Sequence, residues 1–208
     1  AVSHELRTPL SRLRFSLAMV EQLPAEQRQG IEQDLQEIET LVDEMLSYSR
    51  IEHIAVEQKF SQTTISDLLE HQLEKHRRAS NIDIISDFPA GLIVYCNGNL
   101  IERACQNLIT NALGYAKTRI KVSAYQQQQR LCICVEDDGQ GIDKTHWSTL
   151  FEPFARIEQS RNKSHGGYGL GLAIVKKACD LHQGECQISD SSLCGACFTI
   201  SIPIDKTH

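Results

Sequence analysis

Two asparagines spaced four residues apart could supply oxygen ligands to a metal ion. They are Asn107 and Asn111, in the segment NLITNA at residues 107–112. On a helix this spacing places both amides on one face. Amide oxygens suit a hard cation such as Mg²⁺ that also holds phosphate oxygens and water. The same pair could instead form a solvated polar edge or a helix cap, and the spacing alone leaves both interpretations open.

Two glycine-rich segments have the composition of nucleotide-binding loops. In VEDDGQGI, residues 135–142, a predicted strand runs into Asp137, Gly139 and Gly141. The aspartate could accept a hydrogen bond from an exocyclic amine such as that of adenine, and the glycines let the backbone approach a flat ligand. In HGGYGLGLAIV, residues 165–175, glycines precede an apolar helix whose free N–H groups could hold phosphate. The second segment lacks the dinucleotide spacing, and each segment alone could be a simple turn or loop.

A histidine beside a glutamate lies at the start of the chain, in VSHELRTPLSRLRF at residues 2–15. His4 is either an incidental side chain in a frayed terminus or a reactive nucleophile, because a neutral imidazole can act near pH 7. Pro9 belongs either to the first turn of a helix that starts late or to a helix already running at His4.

Cationic side chains precede the second glycine-rich segment. They are Arg156, Arg161, Lys163 and His165, within a polar stretch at 155–166. Such a stretch could be a lid that places cations on a polyphosphate, or it could be a solvated loop.

The first 50 residues must position the histidine, and their apolar residues follow a helical period. Residues 2–22 and 31–50 each carry an apolar stripe separated by polar residues, with a short connection between them. We expect two amphipathic helices in an antiparallel hairpin. The hairpin cannot bury its stripe alone, so self-association into a four-helix bundle is the simplest solution, and packing onto the rest of the chain is the alternative.

The remaining residues predict a mixed domain behind a linker at 51–60. Helices are expected over 64–79, about 99–115, near 144–150 and about 169–182. Strands are expected over 82–88, 92–96, 119–125, 130–136, 185–189 and 197–203. Helices mixed with mainly antiparallel strands indicate a two-layer α/β sandwich.

Composition narrows the class of protein. The chain has 208 residues, 41% of them hydrophobic and 23% charged, which are globular values. A net charge of −6 argues against a general nucleic-acid binder, and no apolar run is long enough to span a membrane. The chain begins inside a helical pattern, so we expect a fragment of a longer protein.

The chain contains eight cysteines, most of them in apolar runs. We expect buried reduced thiols in a reducing compartment, with redox-sensitive or metal-binding thiols as the alternatives. The C-x-x-C at 194–197 has no second half at the spacing of a zinc site.

The order of the motifs carries more information than any one of them. An amide-bearing helix, D-x-G-x-G, FEPF at 151–154 and then G-x-G-L-G-L resemble the Bergerat or GHKL nucleotide-binding domain. Sensor histidine kinases, gyrase-type ATPases and Hsp90-like chaperones share that domain. SHELRTPL at 3–10 resembles the phosphoacceptor box of two-component sensor histidine kinases, which selects that branch.

The resemblance implies an α+β fold in three parts. Residues 1–50 would form the dimerisation and phosphotransfer hairpin of a dimeric four-helix bundle, and 51–60 a linker. Residues 61–208 would form a two-layer α/β sandwich that binds ATP.

The resemblance also implies roles in the phosphoacceptor box. His4 would accept the γ-phosphoryl group of ATP, and Glu5 would orient the ring or take its other proton. Arg7 would neutralise phosphate charge during transfer. Thr8, one turn beyond His4, would position water when phosphate is removed from a response regulator.

In the nucleotide site the resemblance implies that Asn111 binds Mg²⁺, with Asn107 as a further candidate ligand. Asn107 stands where gyrase-type ATPases carry a glutamate that activates water, which favours phosphoryl transfer over ATP hydrolysis. Asp137 would bind the adenine amine. The other implied contacts are Tyr115, Lys117, Gly139, Gly141, Phe154, Arg156, Arg161, Gly167, Gly169, Leu170, Gly171 and Leu172.

One position departs from the family pattern. Gly114 stands where the family often has Lys or Arg, so a phosphate contact is missing or Lys117 supplies it. This departure leaves open a non-catalytic dimerisation scaffold with a degenerate nucleotide pocket.

The implied function is that of a protein-histidine kinase that uses ATP and Mg²⁺ and passes phosphate to a response-regulator aspartate. Phosphatase activity toward the phosphorylated regulator is a second implied activity, and it could be the dominant one. The expected partners are a second copy of the chain and the regulator, with no nucleic acid. The resemblance places the chain in the cytoplasm, attached to the bacterial inner membrane through upstream segments.

Overall fold

The computed structural model describes the backbone of residues 2–20, 24–57, 60–156 and 168–204. Side chains are described for residues 10–20, 24–49, 51, 60–156 and 168–204. The chain divides into two compact units, residues 1–50 and residues 51–208. They are called the hairpin unit and the sandwich unit below.

The hairpin unit is built from two amphipathic helices, α1 (Val2–Ala18) and α2 (Ala25–Glu57). Pro24 precedes α2, a position that suits proline because the first turn of a helix needs no N–H donor there. Leu10 and Leu17 of α1 bury against Leu35 of α2, and Val42 packs against this cluster.

The helix α1 already runs at His4, since it begins at Val2. Pro9 therefore lies inside the helix, and a helix that starts late, with Pro9 in its first turn, is not what forms. Because proline has no N–H, the carbonyl of Glu5 lacks its usual intrahelical donor.

The predicted linker at 51–60 is helical over most of its length, because α2 continues to Glu57. The segment IEHIAVE contains neither glycine nor proline, so nothing in it ends the helix. The helix therefore continues through the change in composition after residue 50.

The sandwich unit contains seven strands, three α-helices and one short 3₁₀ helix within its described residues. The strands are β1 (Ser61–Thr64), β2 (Asp83–Asp87), β3 (Ile93–Cys96), β4 (Arg119–Gln127), β5 (Arg130–Asp137), β6 (Glu185–Asp190) and β7 (Ala196–Pro203). The helices are α3 (Ile65–Ala79), α4 (Gly98–Tyr115), the 3₁₀ helix (Lys144–His146) and α5 (Gly171–Leu181).

Five strands form one sheet in the order β2-β4-β5-β7-β6. Its pairs are antiparallel except for β2 with β4, which are parallel. β1 and β3 form a separate antiparallel pair. The sequence did not predict β1, because its four residues SQTT carry no apolar alternation.

Alternation along the strands separates two faces of the large sheet. Ile120, Val122, Ile133, Val135 and Ile200 are completely buried and form the core with the helices. The opposite face, called the outer face here, is less completely buried. It carries Lys121, Ser123, Tyr125, Cys132, Cys134, Glu136, Cys197, Thr199 and Ser201. The sandwich unit is thus two-layered, as predicted.

None of the described helices combines the length and apolar character needed to cross a membrane.

Candidate active site

Helix α4 contains both asparagines and places Asn107 beside the start of α5. Asn97 caps α4 by accepting a hydrogen bond from the N–H of Leu100 at 3.3 Å. The Nδ2 of Asn107 donates to the carbonyl of Arg103 at 2.8 Å, which orients its amide. A Cβ added to Gly171 would lie 2.9 Å from Oδ1 of Asn107. A side chain at the first residue of α5 would therefore displace the amide of Asn107.

Asp137 is buried at the end of β5, with 3% of its surface exposed. Its Oδ1 accepts hydrogen bonds from the N–H of Gly139 at 2.8 Å and of Ala196 at 3.3 Å. Burial raises the pKa of this carboxyl, and the two backbone donors oppose part of that shift. The side chain is fixed by the backbone on both sides, so its position is set before any ligand arrives.

The loop after Asp137 is attached to the end of α4. A Cβ on Gly139 would lie 2.6 Å from the carbonyl oxygen of Tyr115, so this approach requires glycine. Asp138 accepts hydrogen bonds from the N–H of Lys117 at 2.7 Å and the hydroxyl of Thr118 at 2.6 Å. The Thr118 hydroxyl, followed by the backbone donors, holds the pKa of Asp138 well below its usual value.

Gly195, directly before β7, supports Asp137 from the other side. A Cβ at this position would lie 2.2 Å from Oδ1 of Asp137, 2.3 Å from its carbonyl oxygen and 2.6 Å from the nitrogen of Gly139. The backbone of residue 195 therefore packs directly against the aspartate and its loop.

The FEPF segment is held to the second glycine-rich segment by the backbone. The N–H of Phe154 donates to the carbonyl of Gly169 at 2.9 Å. Gly169 has φ +78°, and a Cβ there would lie 2.7 Å from the carbonyl oxygen of Ala155. Left-handed geometry and close approach both require glycine at this position.

Comparison with protein families shows which family contains these segments together. Residues 96–206 match the family model described as histidine kinase-, DNA gyrase B- and HSP90-like ATPase. Residues 1–54 match the His Kinase A phospho-acceptor domain, which separates the kinases from the other two branches. The chain belongs to the sensor histidine kinases. The resemblance inferred from the motif order is confirmed, and the ATPase match implies that this kinase domain binds ATP.

Individual relatives agree with this assignment. The kinase chain is 35% identical to the sensor protein RstB of Escherichia coli over 98% of its length, and 32% identical to the sensor histidine kinase CpxA of the same organism over 99%. It spans about half the length of these relatives, 47% of RstB and 46% of CpxA. The solved histidine kinase AdeS of Acinetobacter baumannii matches with a TM-score of 0.69 and 25% identity, covering 98% of both chains.

The structure brings several sequence-predicted residues of the kinase together. Asn107, Gly139, Gly169 and Gly171 make the close approaches described above, and Asp137 lies at the centre of its loop. Asn111 and Leu172 are half-buried. Gly141 has φ +73°, which favours glycine.

Other predicted residues are placed without a contact that tests their role. The side chains of Tyr115, Lys117, Phe154 and Arg156 are exposed, and Leu170 is buried among the core residues. Arg161 and Gly167 lie outside the described residues. His4, Glu5, Arg7 and Thr8 lie in α1 by their backbone, and their side chains are outside the described set.

Two supporting residues were missed by sequence reasoning. Asp138 was missed because the motif assigns a role only to Asp137, the first of the two consecutive aspartates. Gly195 was seen only as the middle of C-x-x-C, although a glycine beside a strand often marks the close approach of another backbone. That signal could have identified it.

Proposed function

We propose that this chain is the catalytic part of a sensor histidine kinase that transfers the γ-phosphoryl group of ATP to His4. The observation that carries the proposal is the buried Asp137, fixed by two backbone donors inside a glycine-lined loop. The chain spans about half of its curated relatives, 47% of RstB for example, so the activity of the whole protein is part of this proposal.

The nucleotide would be recognised at both ends. The Asp137 carboxylate accepts a hydrogen bond from the adenine amine, and its fixed position means that binding need not order it. Gly171 opens an 11-residue helix, so the free N–H groups of its first turn and its dipole favour phosphate there. Arg156 and Arg161 are the proposed phosphate-contacting cations, and Lys117 is the proposed substitute for the basic residue absent at Gly114.

The amides of α4 fit a magnesium ion. Asn111 would be the principal ligand, and Asn107 fits a supporting role because its Nδ2 is already bonded to Arg103 while its oxygen points toward α5. Mg²⁺ would neutralise charge on the phosphate oxygens when bound.

In the proposed transfer, a ring nitrogen of His4 attacks the γ-phosphorus as the bond from phosphorus to the β,γ-bridging oxygen breaks. ADP leaves with the bond electrons. Glu5 accepts the proton from the other ring nitrogen, which raises the nucleophilicity of the imidazole. Asn107 cannot act as a general base toward water, so hydrolysis does not compete strongly with transfer.

Radiolabelled ATP tests the transfer directly. We expect acid-labile, alkali-stable label on the chain and its loss in His4→Gln. The matched control is His71→Gln, which changes an exposed histidine of α3 and should keep the label. Equal labelling of the two variants would show that His4 is not the acceptor.

Calorimetry with a non-hydrolysable ATP analogue and Mg²⁺ separates a kinase from a scaffold with a degenerate pocket. We expect binding that Asp137→Asn abolishes and that Asp180→Asn, a change at an exposed carboxylate of α5, leaves unchanged. No binding to the unmodified chain would support the scaffold.

The proposed partners are a second copy of the chain and a response regulator. The hairpin unit supports the first, because several large apolar side chains of the two helices and of the turn after α1 are exposed. They are Leu13, Phe15, Met19, Val20, Ile31, Ile38 and Met45. A two-helix hairpin that exposes this much apolar surface fits pairing into a four-helix bundle. We place the chain in the cytoplasmic part of a membrane sensor.

Removal of phosphate from the regulator is the second proposed activity. Thr8 follows His4 by four residues within the continuous helix α1, so the two positions share a face. Thr8→Ala should slow dephosphorylation of a purified phospho-regulator, while Ser16→Ala near the end of α1 should not. An unchanged rate in Thr8→Ala would show that this residue does not take part in dephosphorylation.

A further inference from the structure

A group of thiols and hydroxyls on the outer face of the sheet has no part in the proposed kinase reaction. In the pairing of β4, β5 and β7, Cys134 lies opposite Ser123 on one side and Thr199 on the other. Cys197 pairs with Glu136, which makes it the diagonal neighbour of Cys134 on the same face. Diagonal neighbours on one sheet face are about 7–8 Å apart, farther than directly opposite residues, so a bond between these two sulfurs requires the strands to adjust locally.

The contacts in this group converge on one sulfur. The Thr199 hydroxyl donates to Sγ of Cys134 at 3.4 Å, and the Tyr125 hydroxyl lies 3.9 Å from the same sulfur. Cys197 contacts Oγ1 of Thr199 at 3.9 Å. Thr199 donates to Cys134, and the Tyr125 hydroxyl is placed where it can donate to the same sulfur.

Donors around a sulfur favour its thiolate. The hydrogen bond from Cys197, followed by those from Thr199, Tyr125 and Ser123, lowers the pKa of Cys134 to about 6 against the opposing effect of burial. The pKa of Cys197 is raised, chiefly by the same hydrogen bond. The charge on Cys134 raises the pKa of Tyr125 to about 12. The hydrogen bonds therefore favour the thiolate at Cys134 and the protonated thiol at Cys197.

We infer that Cys134 is a thiol that reacts with hydroperoxides, and that Cys197 converts its oxidised form into a disulfide between β5 and β7. The inference is independent of the kinase reaction. It rests on the placement of a donor-surrounded thiol beside a second thiol, because thiols that are oxidised reversibly often have such a neighbour.

The chemistry proceeds in two balanced steps. The Cys134 thiolate attacks the terminal oxygen of the hydroperoxide, an S–O bond forms, the O–O bond breaks, and the leaving alkoxide or hydroxide takes a proton from solvent. This step oxidises the sulfur by two electrons and reduces the peroxide. The Cys197 sulfur then attacks Sγ of Cys134, the S–S bond forms, and hydroxide leaves with the Cys197 proton as water.

Cys132 provides a matched control within the same strand. It lies on the same face as Cys134, and both residues have 8% of their surface exposed. Its sulfur contacts the Ser201 hydroxyl at 3.8 Å instead of the group around Thr199. Different reactivity of the two thiols would therefore report their hydrogen bonds and not their accessibility.

Alkylation of the full reduced chain by iodoacetamide, resolved by residue with mass spectrometry, tests the first half of the inference. Hydrogen bonds to the Cys134 sulfur should keep part of it as the thiolate near pH 6, and the thiolate is the form that reacts. The weaker nucleophilicity of a low-pKa thiolate offsets part of this advantage. We expect Cys134 to react severalfold faster than Cys132 at pH 6, with a midpoint near pH 6 for Cys134.

Thr199→Val separates the hydrogen bonds from the fold, because valine keeps the shape of the side chain and suits a strand. We expect the midpoint for Cys134 to move to higher pH while the fluorescence of Trp147 stays unchanged. Equal rates for Cys134 and Cys132 in the unmodified chain would overturn the inference without any variant.

Hydrogen peroxide in slight excess over the protein tests the second half. We expect a Cys134–Cys197 linked peptide that dithiothreitol reverses. In Cys197→Ser the reaction should stop at a sulfenic acid on Cys134 that dimedone traps. Unmodified Cys134 after peroxide has oxidised other cysteines of the same chain would overturn the inference, and so would a Cys134 disulfide to a residue other than Cys197.

Discussion

The two units differ in how completely each buries its own apolar residues. In the hairpin unit the buried cluster contains Leu10, Leu17 and Leu35, and large apolar side chains such as Phe15 and Ile38 are exposed. The sandwich unit has a continuous core between its helices and its sheet, with many side chains fully buried. The two units therefore differ in whether each can fold and function alone. The sandwich unit can hold a nucleotide site by itself, whereas the hairpin unit needs another surface to complete its fold.

The buried polar side chains show the same asymmetry. Among the described residues all of them belong to the sandwich unit: Ser66, Gln72, Asn97, Asp137 and His182. Buried polar groups need specific partners, so they fix one arrangement of the core. The unit that must hold a nucleotide in place is the one that contains them.

Ile133→Ala is expected to have the largest effect, because this side chain of β5 is fully buried. We expect a loss of about 2–5 kcal/mol in the free energy of unfolding of the sandwich unit. Trp147 is the one tryptophan of the chain, so its fluorescence in a urea titration follows that unit. Ile38→Ala in the hairpin unit should leave the Trp147 transition in place. Equal shifts in both variants would show that the two units unfold as one.

Two glycine substitutions should move stability in opposite directions. Gly195→Ala puts a methyl group into the backbone around Asp137, and we expect a loss of about 1–3 kcal/mol together with weaker nucleotide binding. Gly30 lies inside α2, and a Cβ there would meet no atom within 4 Å. Gly30→Ala should stabilise the helix by up to about 1 kcal/mol. Urea titrations followed by Trp147 fluorescence and by far-UV circular dichroism measure the two effects. Loss of stability in both variants would contradict the contrast.

The sequence predicted the helices and strands whose apolar residues follow a local periodic pattern. The helices α4 and α5 carry long apolar periods, and β4 and β5 alternate, so their existence and approximate bounds could be predicted. The strand β1 could not be predicted, because its four polar residues become a strand only by pairing with β3. The sequence also gave no sign that β2 pairs in parallel with β4.

The residues of the candidate site also differ in whether a local pattern could identify them. Asp137 and Gly139 could be identified because the motif containing them is contiguous. The contacts of Asp138 and Gly195 could not be predicted, although the place of Gly195 beside a strand marks it as a candidate, because both depend on residues distant in the chain. Asp138 binds the backbone of Lys117, 21 residues earlier, and the N–H that follows Gly195 reaches Asp137 across 59 residues. Local spacing contains no information about such contacts.

Weakening the exposed apolar surface of the hairpin unit should change association and leave the sandwich unit stable. Ile38→Gln keeps a good helix former in α2 but removes apolar area from the proposed dimer interface. We expect the dimer dissociation constant to rise about tenfold, equivalent to about 1.4 kcal/mol. Sedimentation velocity over a concentration series measures it. Glu32→Gln, another exposed position of α2, is the control, and unchanged association of Ile38→Gln would move the interface elsewhere.

The smallest expected effect concerns His182, which joins α5 to the start of α4 inside the sandwich unit. Nδ1 donates to the carbonyl of Ala178 at 2.7 Å, and Nε2 accepts from the N–H of Asn97 at 3.0 Å. This pair of contacts requires the neutral ring. Burial lowers the pKa of His182 below 6.5, although the Ala178 carbonyl opposes part of the shift. The folded chain therefore takes up this proton less readily than the unfolded chain.

The stabilising contribution of neutral His182 is complete above pH 6.5 and is lost as the pH falls toward its lowered pKa. We expect the sandwich unit to lose at most about 1 kcal/mol from this group between pH 7 and 5.5, a limit set by the pKa of the unfolded chain. His76 also has a lowered pKa and adds a loss of the same sign, so the test is a comparison with His182→Gln. Glutamine does not titrate, and the stability difference between the two proteins should narrow as the pH falls. A difference that stays constant in urea titrations across this range would show that His182 accepts its proton equally in both states, and that its two hydrogen bonds do not depend on a neutral ring.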